Sequence, residues 1–191
     1  MLTQSELKEF LSYDPEIGIF TWLKAIGKRV RVGSVAGTYR KGYIRIGLAR
    51  KQYSAHRLAF LFMTGLFPPE EVDHINGIKA DNRRLNLRQA TRNQNMCNQS
   101  KRSDNTSGFK GIGWDKVAKK WEASIKHMNQ HIYLGLFTTP EAAHQAYIAA
   151  AEKLHGNFAN LESEETKWMR MYLVRLMSRN ISRLKEQHNG K

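Results

Sequence analysis

Apolar residues recur at helical spacing in a few stretches of this chain and alternate with polar ones in several more, which predicts short helices mixed with short strands. Leu7, Phe10 and Leu11 make one apolar face over Ser5 to Tyr13, predicting a short helix that Asp14-Pro15-Glu16 ends. Ile17 to Trp22, Val30 to Ala36 and Tyr43 to Leu48 read as strands separated by Gly-containing turns, and are expected to form a small sheet. A second helix is expected after Ser54, through His56 to Met63, stopping at Gly65 and Pro68-Pro69. It reads as core, with His56 a packed or capping histidine rather than a second catalytic group. Gln99 to Gly108 is polar, lacks apolar periodicity and reads as a linker.

Beyond the linker, Phe109 to Trp114, Lys119 to Lys126 and His131 to Phe137 have strand character. Thr139-Pro140-Glu141 then starts a helix in which Ala143, Ala146, Tyr147, Ala150 and Leu154 repeat at helical spacing before Gly156. The expectation is three antiparallel strands with one helix packed across them. Alternation places Trp121, Ala123, Ile125, Ile132, Leu134 and Leu136 toward that helix. The outer face then carries Lys120, Lys126, His131 and Tyr133. A twisted ribbon with such a face suits a major groove, although an ordinary solvated sheet face fits the same alternation. The tail, Glu164 to Gln187, is expected to be one helix with Arg175, Arg179 and Arg183 every fourth residue.

Composition sharpens this. Lys+Arg 31 against Asp+Glu 17 gives a formal net charge of +14 over 191 residues, and the excess is spread along the whole chain. A chain this basic favours a polyanionic partner, because neutralised phosphates release counterions. Charge alone leaves a ribosomal or merely basic protein open. Cys97 is the single cysteine, so no intramolecular disulfide and no thiolate zinc cluster is possible, in keeping with a reducing cytosol. Leu58 to Met63 is far short of a membrane span, and the first residues lack a charged region followed by an apolar one, so no signal peptide is expected.

The candidate chemistry is concentrated in Val72-Asp73-His74-Ile75-Asn76-Gly77, followed by Asp81-Asn82-Arg83-Arg84-Leu85-Asn86-Leu87-Arg88 and Thr91-Arg92-Asn93-Gln94-Asn95. Asp73 and His74 would point to opposite faces of a regular strand, so the strand must end there for both to serve one site. Asn76-Gly77 is a strong hairpin turn signal. Thr91 with Gln94 fits a capping box, which starts a helix at about Arg92 and puts Asn95 one turn inside it. A hairpin followed by a helix suits phosphodiester hydrolysis. Asp73 and the amide oxygen of Asn95 are hard ligands of the kind Mg²⁺ or Mn²⁺ prefers, and His74, with an unperturbed pKa of roughly 6.5, would take a proton from water. Taken singly, each piece also suits a polar turn or cap. Arg83 and Arg84 are either phosphate clamps or solvated charges.

At these residues the sequence resembles the HNH endonucleases of the phage and intron-encoded, homing type, over about Thr3 to Ser100. Asp-His, a short loop, Asp-Asn, Asn-Leu-Arg and a helical Asn are the matching pieces, with 12 residues from His74 to Asn86 and 9 from Asn86 to Asn95. The resemblance assigns the three named positions to His74, Asn86 and Asn95. It implies that His74 is the general base, that Asn86 pins the loop backbone behind the imidazole, and that Asp73 and Asn95 take the metal. Many relatives have a third His where this chain has Asn95.

Residues 109 to 161 resemble a second family, the Apetala-two type DNA-binding domain of plant ethylene-response factors. The matching pieces are Phe109-Lys110-Gly111-Ile112, Lys120 to Lys126, Tyr133 to Phe137, Glu141-Ala142-Ala143 and Gly156 to Leu161. DNA contact would pass to Lys110, Lys120, Lys126, His131 and Tyr133. Gly113 stands where an Arg is common, and the turn from Trp114 to Lys119 is altered, so plant target sequences do not carry over.

The sequence therefore predicts an α+β protein. Its parts are an HNH nuclease domain over 1–100 built on a small sheet and a ββα-metal unit, a linker over 101–108, a sheet-and-helix DNA-binding domain over 109–161 and a basic helix over 162–191. The expected activity is divalent-metal-dependent cleavage of double-stranded DNA by a freestanding homing-type phage enzyme, with Mg²⁺ ahead of Mn²⁺. It would act in the host cytoplasm without a membrane. A monomer would nick one strand and is favoured over a dimer that cuts both. The alternatives are a non-catalytic DNA-binding regulator built from the same modules and a structural RNA-binding protein.

Overall fold

A computed structural model describes residues 2–28, 30–161 and 172. The C-terminal helix expected over Glu164 to Gln187 therefore lies, Tyr172 apart, outside the described residues. The chain divides into two compact units, the first ending at Gln89 and the second beginning at Ala90. The architecture is α+β, with helices and small antiparallel sheets in both.

The first unit opens on helix α1 (Gln4–Phe10), started by a capping box in which the Thr3 hydroxyl accepts from the Glu6 N–H and the Glu6 carboxylate accepts from the Thr3 N–H. The helix stops three residues before the expected Tyr13, because Leu11 turns extended and Leu11–Asp14 becomes strand β1, paired with β2 (Ile19–Trp22). Leu11 fits both periods. It follows Leu7 at helical spacing, but with Tyr13 it also alternates inward opposite Trp22 and Phe20, and this pairing buries all four rings and side chains.

The expected strand over Val30 to Ala36 is absent. Only Val35 makes a single bridge, to Thr21, and the sheet forms instead from β3 (Thr38–Arg40), β4 (Tyr43–Leu48) and β5 (Lys51–Ser54). Left-handed backbone at Gly33 interrupts the apolar run, and Gly37 follows its end at positive φ. Helix α2 (Ala55–Thr64) follows and closes on Gly65 in the αL conformation, whose N–H donates to the Leu61 carbonyl. Leu58 and Leu61 lie fully inside against Leu7, Leu11, Phe20 and Ile46, each such side chain stabilising the fold by about 1.5–3 kcal/mol. Arg57 donates to the carbonyls of Pro68 (2.9 Å) and Glu70 (2.8 Å), which ties the start of α2 to the entry of strand β6 (Glu71–His74). Strand β7 (Leu87–Ala90) pairs with β6 across a long loop.

The second unit begins with helix α3 (Arg92–Cys97), capped as expected by Thr91 and Gln94. Residues 101–108 are a hydrogen-bonded loop: Asn105 and Ser107 both donate to the Phe109 carbonyl, and Lys101 donates to that of Gly108. Strands β8 (Ile112–Asp115), β9 (Lys120–His127) and β10 (Gln130–Phe137) form an antiparallel sheet in the order β10-β9-β8. Helix α4 (Pro140–His155) packs across it, burying Ala143, Tyr147 and Ala151 against Ile112, Ala123 and Ile125. A Cβ on Gly111 would lie 2.4 Å from the Tyr147 ring, so the helix is seated where only glycine leaves room.

One residue of the expected inward face is corrected. A bulge between Tyr133 and Gly135 leaves Leu134 as an extra residue, after which Leu136 pairs with Glu122 on the outer face and Phe137 with Trp121 on the inner.

Candidate active site

Strand β6 ends at His74, where the chain turns with the Gly77 N–H donating to the His74 carbonyl. Asn76-Gly77 is thus a turn, but not the two-residue hairpin its signal suggests. The strands it joins meet only after a twelve-residue excursion, where the Ile75 N–H donates to the Asn86 carbonyl. Asp73 and His74 are both buried, at 4% and 5% exposure, and as neighbouring strand positions they find different partners.

The Asp73 carboxylate meets the Arg88 guanidinium from β7, with Oδ2 at 2.8 Å from Nε and 2.7 Å from Nη2. His74 meets the loop. Its Nε2 lies 3.3 Å from the Asn82 side-chain oxygen, and the Asn82 amide nitrogen donates to the Ala80 carbonyl at 3.1 Å. With the amide nitrogen committed to Ala80, the oxygen faces the imidazole, which must donate from Nε2. In the neutral ring the basic lone pair is then on Nδ1. Burial pushes the His74 pKa down and the Lys79 charge adds to this, while the Asn82 bond and the Asp73 and Asp81 carboxylates oppose it. The imidazole is therefore in its proton-accepting form at neutral pH.

The loop that carries Asn82 is held by a network of its own side chains. Asn86 donates to the Asp81 carbonyl (2.8 Å) and accepts from the Asn76 N–H (2.9 Å), so one amide bridges the two sides of the excursion. Asp81 is fully buried and takes Arg83 through Nε (2.8 Å) and Nη2 (2.6 Å) and the Asn76 amide at 2.7 Å. Burial works against its charged form, but these hydrogen bonds outweigh it and hold the carboxyl below its ordinary range. The β1–β2 hairpin braces the loop from behind. The Tyr13 hydroxyl donates to the Asn82 carbonyl at 2.6 Å, and the Arg84 N–H donates to the Pro15 carbonyl.

On its other side His74 packs edge-on to His56, with centroids 4.9 Å apart and planes at 80°. Tyr43 completes the group, 5.5 Å from His56 and 6.2 Å from His74. Burial, then the neighbouring His74, drives the His56 pKa down to about 3, so it stays neutral. His56 is the packed core histidine expected, but its packing partner is the candidate base.

The remaining predicted residues are spread. Asn95 is half-buried in α3, in the second unit, with its N–H donating to the Thr91 carbonyl. Arg83 is occupied by Asp81, whereas Arg84 is exposed. Lys110 donates to the Cys97 carbonyl at the end of α3 (2.7 Å) rather than standing on the outer sheet face. Lys120, Lys126, His131 and Tyr133 are exposed, with His131 directly opposite Lys126 and Tyr133 opposite Ser124. Glu122 and Asp115 share that sheet, Asp115 opposite Lys120, so the face is of mixed charge. Among the described residues no group of three or more His, Cys, Asp or Glu side chains encloses a metal site, and no helix is long and apolar enough to cross a membrane.

Asn82, Arg88, Tyr43 and Lys79 were not singled out for these contacts in the sequence. Only the pairing of β7 with β6, the fold of the loop and the packing of β4 and α2 beside β6 bring them to Asp73 and His74, and no periodicity encodes any of these.

Residues 53–97 match a family of proteins described as HNH endonuclease. Protein 3.8 of Escherichia phage T7 is 31% identical over 88 residues, an alignment that covers 46% of this chain and 72% of that protein. No solved structure matches the chain.

Proposed function

We infer that this chain, which belongs to the HNH endonuclease family, is a metal-dependent endonuclease that hydrolyses phosphodiester bonds of double-stranded DNA with His74 as general base. The observation that carries the reading is the setting of His74. A buried, neutral imidazole is held by Asn82 in one tautomer, one residue from a buried carboxylate, in a chain of net charge +14.

The donor set fits a hard divalent cation. Mg²⁺ is held by one or two carboxylates together with substrate phosphates and waters, and the buried Asp73 is a carboxylate of that kind. Asp73 would hold the ion, which when bound stabilises charge developing on the phosphate and the leaving 3′ oxygen. His74 would draw the proton from the attacking water through Nδ1. Asn82 keeps that nitrogen in its accepting state, and Asn86 holds the loop in the shape that places Asn82. Arg88 orients Asp73 and limits the cost of burying it.

The second unit is the DNA-binding module in this reading. Its three-stranded sheet backed by one helix agrees with an Apetala-two type domain, and Lys120, Lys126, His131 and Tyr133 would contact the duplex, with Arg84 as a phosphate contact beside the catalytic loop. With one His74 per chain, a monomer cuts one strand. The likeness to a phage protein suits a freestanding homing-type enzyme acting in a host cytoplasm.

Incubating the purified protein with supercoiled DNA from the genome that encodes it, with Mg²⁺, Mn²⁺ or chelator, tests this. Relaxed circles are expected with either metal and none with chelator. Equal product in chelator, or none with any metal on DNA that the protein demonstrably binds, would overturn the reading, the second result in favour of a non-catalytic regulator.

A further inference from the structure

We propose that Lys79 and Arg45, gathered on the ring of Tyr43 beside His74, form a binding site for a backbone phosphate of the DNA strand being cut. The proposal rests on the nuclease reading above and adds two residues that neither the motif nor its spacing selects.

The cations converge on one aromatic ring. Lys79 Nζ lies 5.1 Å and Arg45 Cζ 5.7 Å from the Tyr43 centroid, and that ring in turn touches both His56 and His74. Arg45 comes from the middle of β4 and Lys79 from the catalytic loop, 34 positions apart, so the fold brings them together. The Lys79 stem passes close to Gly42. Its Cδ would lie 3.3 Å from a Cβ on Gly42, whose φ of +88° lets the β3–β4 turn approach so closely.

Two of the acids near this pair are committed elsewhere, Asp73 to Arg88 and Asp81 to Arg83, and the third, Glu71, acts on the Tyr43 hydroxyl. Among the described residues no carboxylate lies within ion-pair distance of Lys79 or Arg45. Arg45 spends one N–H on the Ser54 hydroxyl (2.7 Å), which anchors the side chain and leaves the rest of its fork of five donors available. Two like charges on one ring repel each other. The ring quadrupole offsets part of this, and an anion seated beside the ring offsets more. A phosphodiester fits, since its two unesterified oxygens match a guanidinium fork and an ammonium. Seated there, it lies next to the imidazole of His74, which is where a strand must be fixed for in-line attack. Free inorganic phosphate offers the same oxygens, so the test separates the two sources.

The experiment measures duplex binding in chelator across a salt series, for wild type, Lys79→Ala and Lys79→Arg, with single-turnover cleavage in Mg²⁺ alongside. Lys79 is exposed, so its replacement leaves the fold and melting temperature intact. The alanine variant is expected to bind about tenfold more weakly, with a salt slope lower by about one, and the arginine variant to restore both. A duplex with one uncharged methylphosphonate linkage at the bound phosphate should cost wild type the same tenfold and cost Lys79→Ala nothing further. Inorganic phosphate at millimolar concentration should compete weakly and equally for wild type and Lys79→Ala. Unchanged affinity and slope in Lys79→Ala, or methylphosphonate penalties that add to the mutation at every linkage, would overturn the site. Preferential competition by phosphate in wild type would reassign it to the free ion. Because binding is read without metal, this result is independent of whether wild type cleaves, so the proposal and the nuclease reading fail separately.

Discussion

Asn82 decides which nitrogen of His74 can accept a proton. Its side-chain oxygen meets Nε2 while its amide nitrogen is committed to Ala80, and at 1% exposure it has no solvent with which to exchange these bonds. Replacing it by alanine removes the acceptor and frees the imidazole to adopt either tautomer. Asn82→Ala is therefore expected to lower the cleavage rate by about 10–100-fold while DNA affinity stays within about twofold, as for other groups that orient a reacting side chain. Nitrogen-15 shifts of the His74 ring should move from one tautomer toward a mixture. An unchanged rate with an unchanged ring spectrum would remove Asn82 from this role. The sequence marks Asp73, His74, Asn86 and Asn95 by motif and spacing, but nothing in it marks the contact that Asn82 makes. Eight residues separate Asn82 from His74, and only the path of the loop closes that distance.

At the scale of elements, the β1–β2 hairpin is the brace on which the loop between β6 and β7 rests. Gly18, at φ +72°, packs so closely that a Cβ would lie 2.4 Å from the Arg83 nitrogen and 2.6 Å from the Asn82 carbonyl carbon. These are backbone atoms and cannot swing aside. Gly18→Ala is expected to destabilise the protein by about 2–4 kcal/mol, from the positive φ and the overlap together, and to depress cleavage more than DNA binding. Thermal melting and single-turnover rates measure both, and a fully stable, fully active variant would show that the hairpin does not support the loop. This brace is illegible in sequence because Leu11 and Tyr13 fit the end of a helix as well as a strand. Leu7 and Leu11 satisfy a helical repeat, whereas the strand shows only when Phe20 and Trp22 are known to lie opposite. Where one signal acts locally the reading was sound. Thr91 with Gln94 starts α3, Gly65 stops α2, and Thr139-Pro140 starts α4. The Leu134 bulge, which turns Leu136 outward, leaves no local mark.

Over the whole molecule, the +14 charge and the α+β architecture with an HNH segment at residues 53–97 point the same way, toward a polyanionic substrate brought to a buried imidazole. The acids nearest that imidazole are each matched by an arginine, Asp73 by Arg88 and Asp81 by Arg83, so the excess positive charge is left to the rest of the chain, which in the proposed reading would meet phosphate. Charge of this kind gives affinity but not chemistry, and a regulator would need as much of it. What separates an enzyme from a binding protein here is His74. The most direct test is strand cleavage of one duplex in Mg²⁺ by wild type and by His74→Ala, at protein concentrations that give equal occupancy of the DNA. The account predicts a fall of about 10²–10⁴-fold in rate with binding retained, the usual worth of a positioned general base. Equal rates at equal occupancy would contradict it.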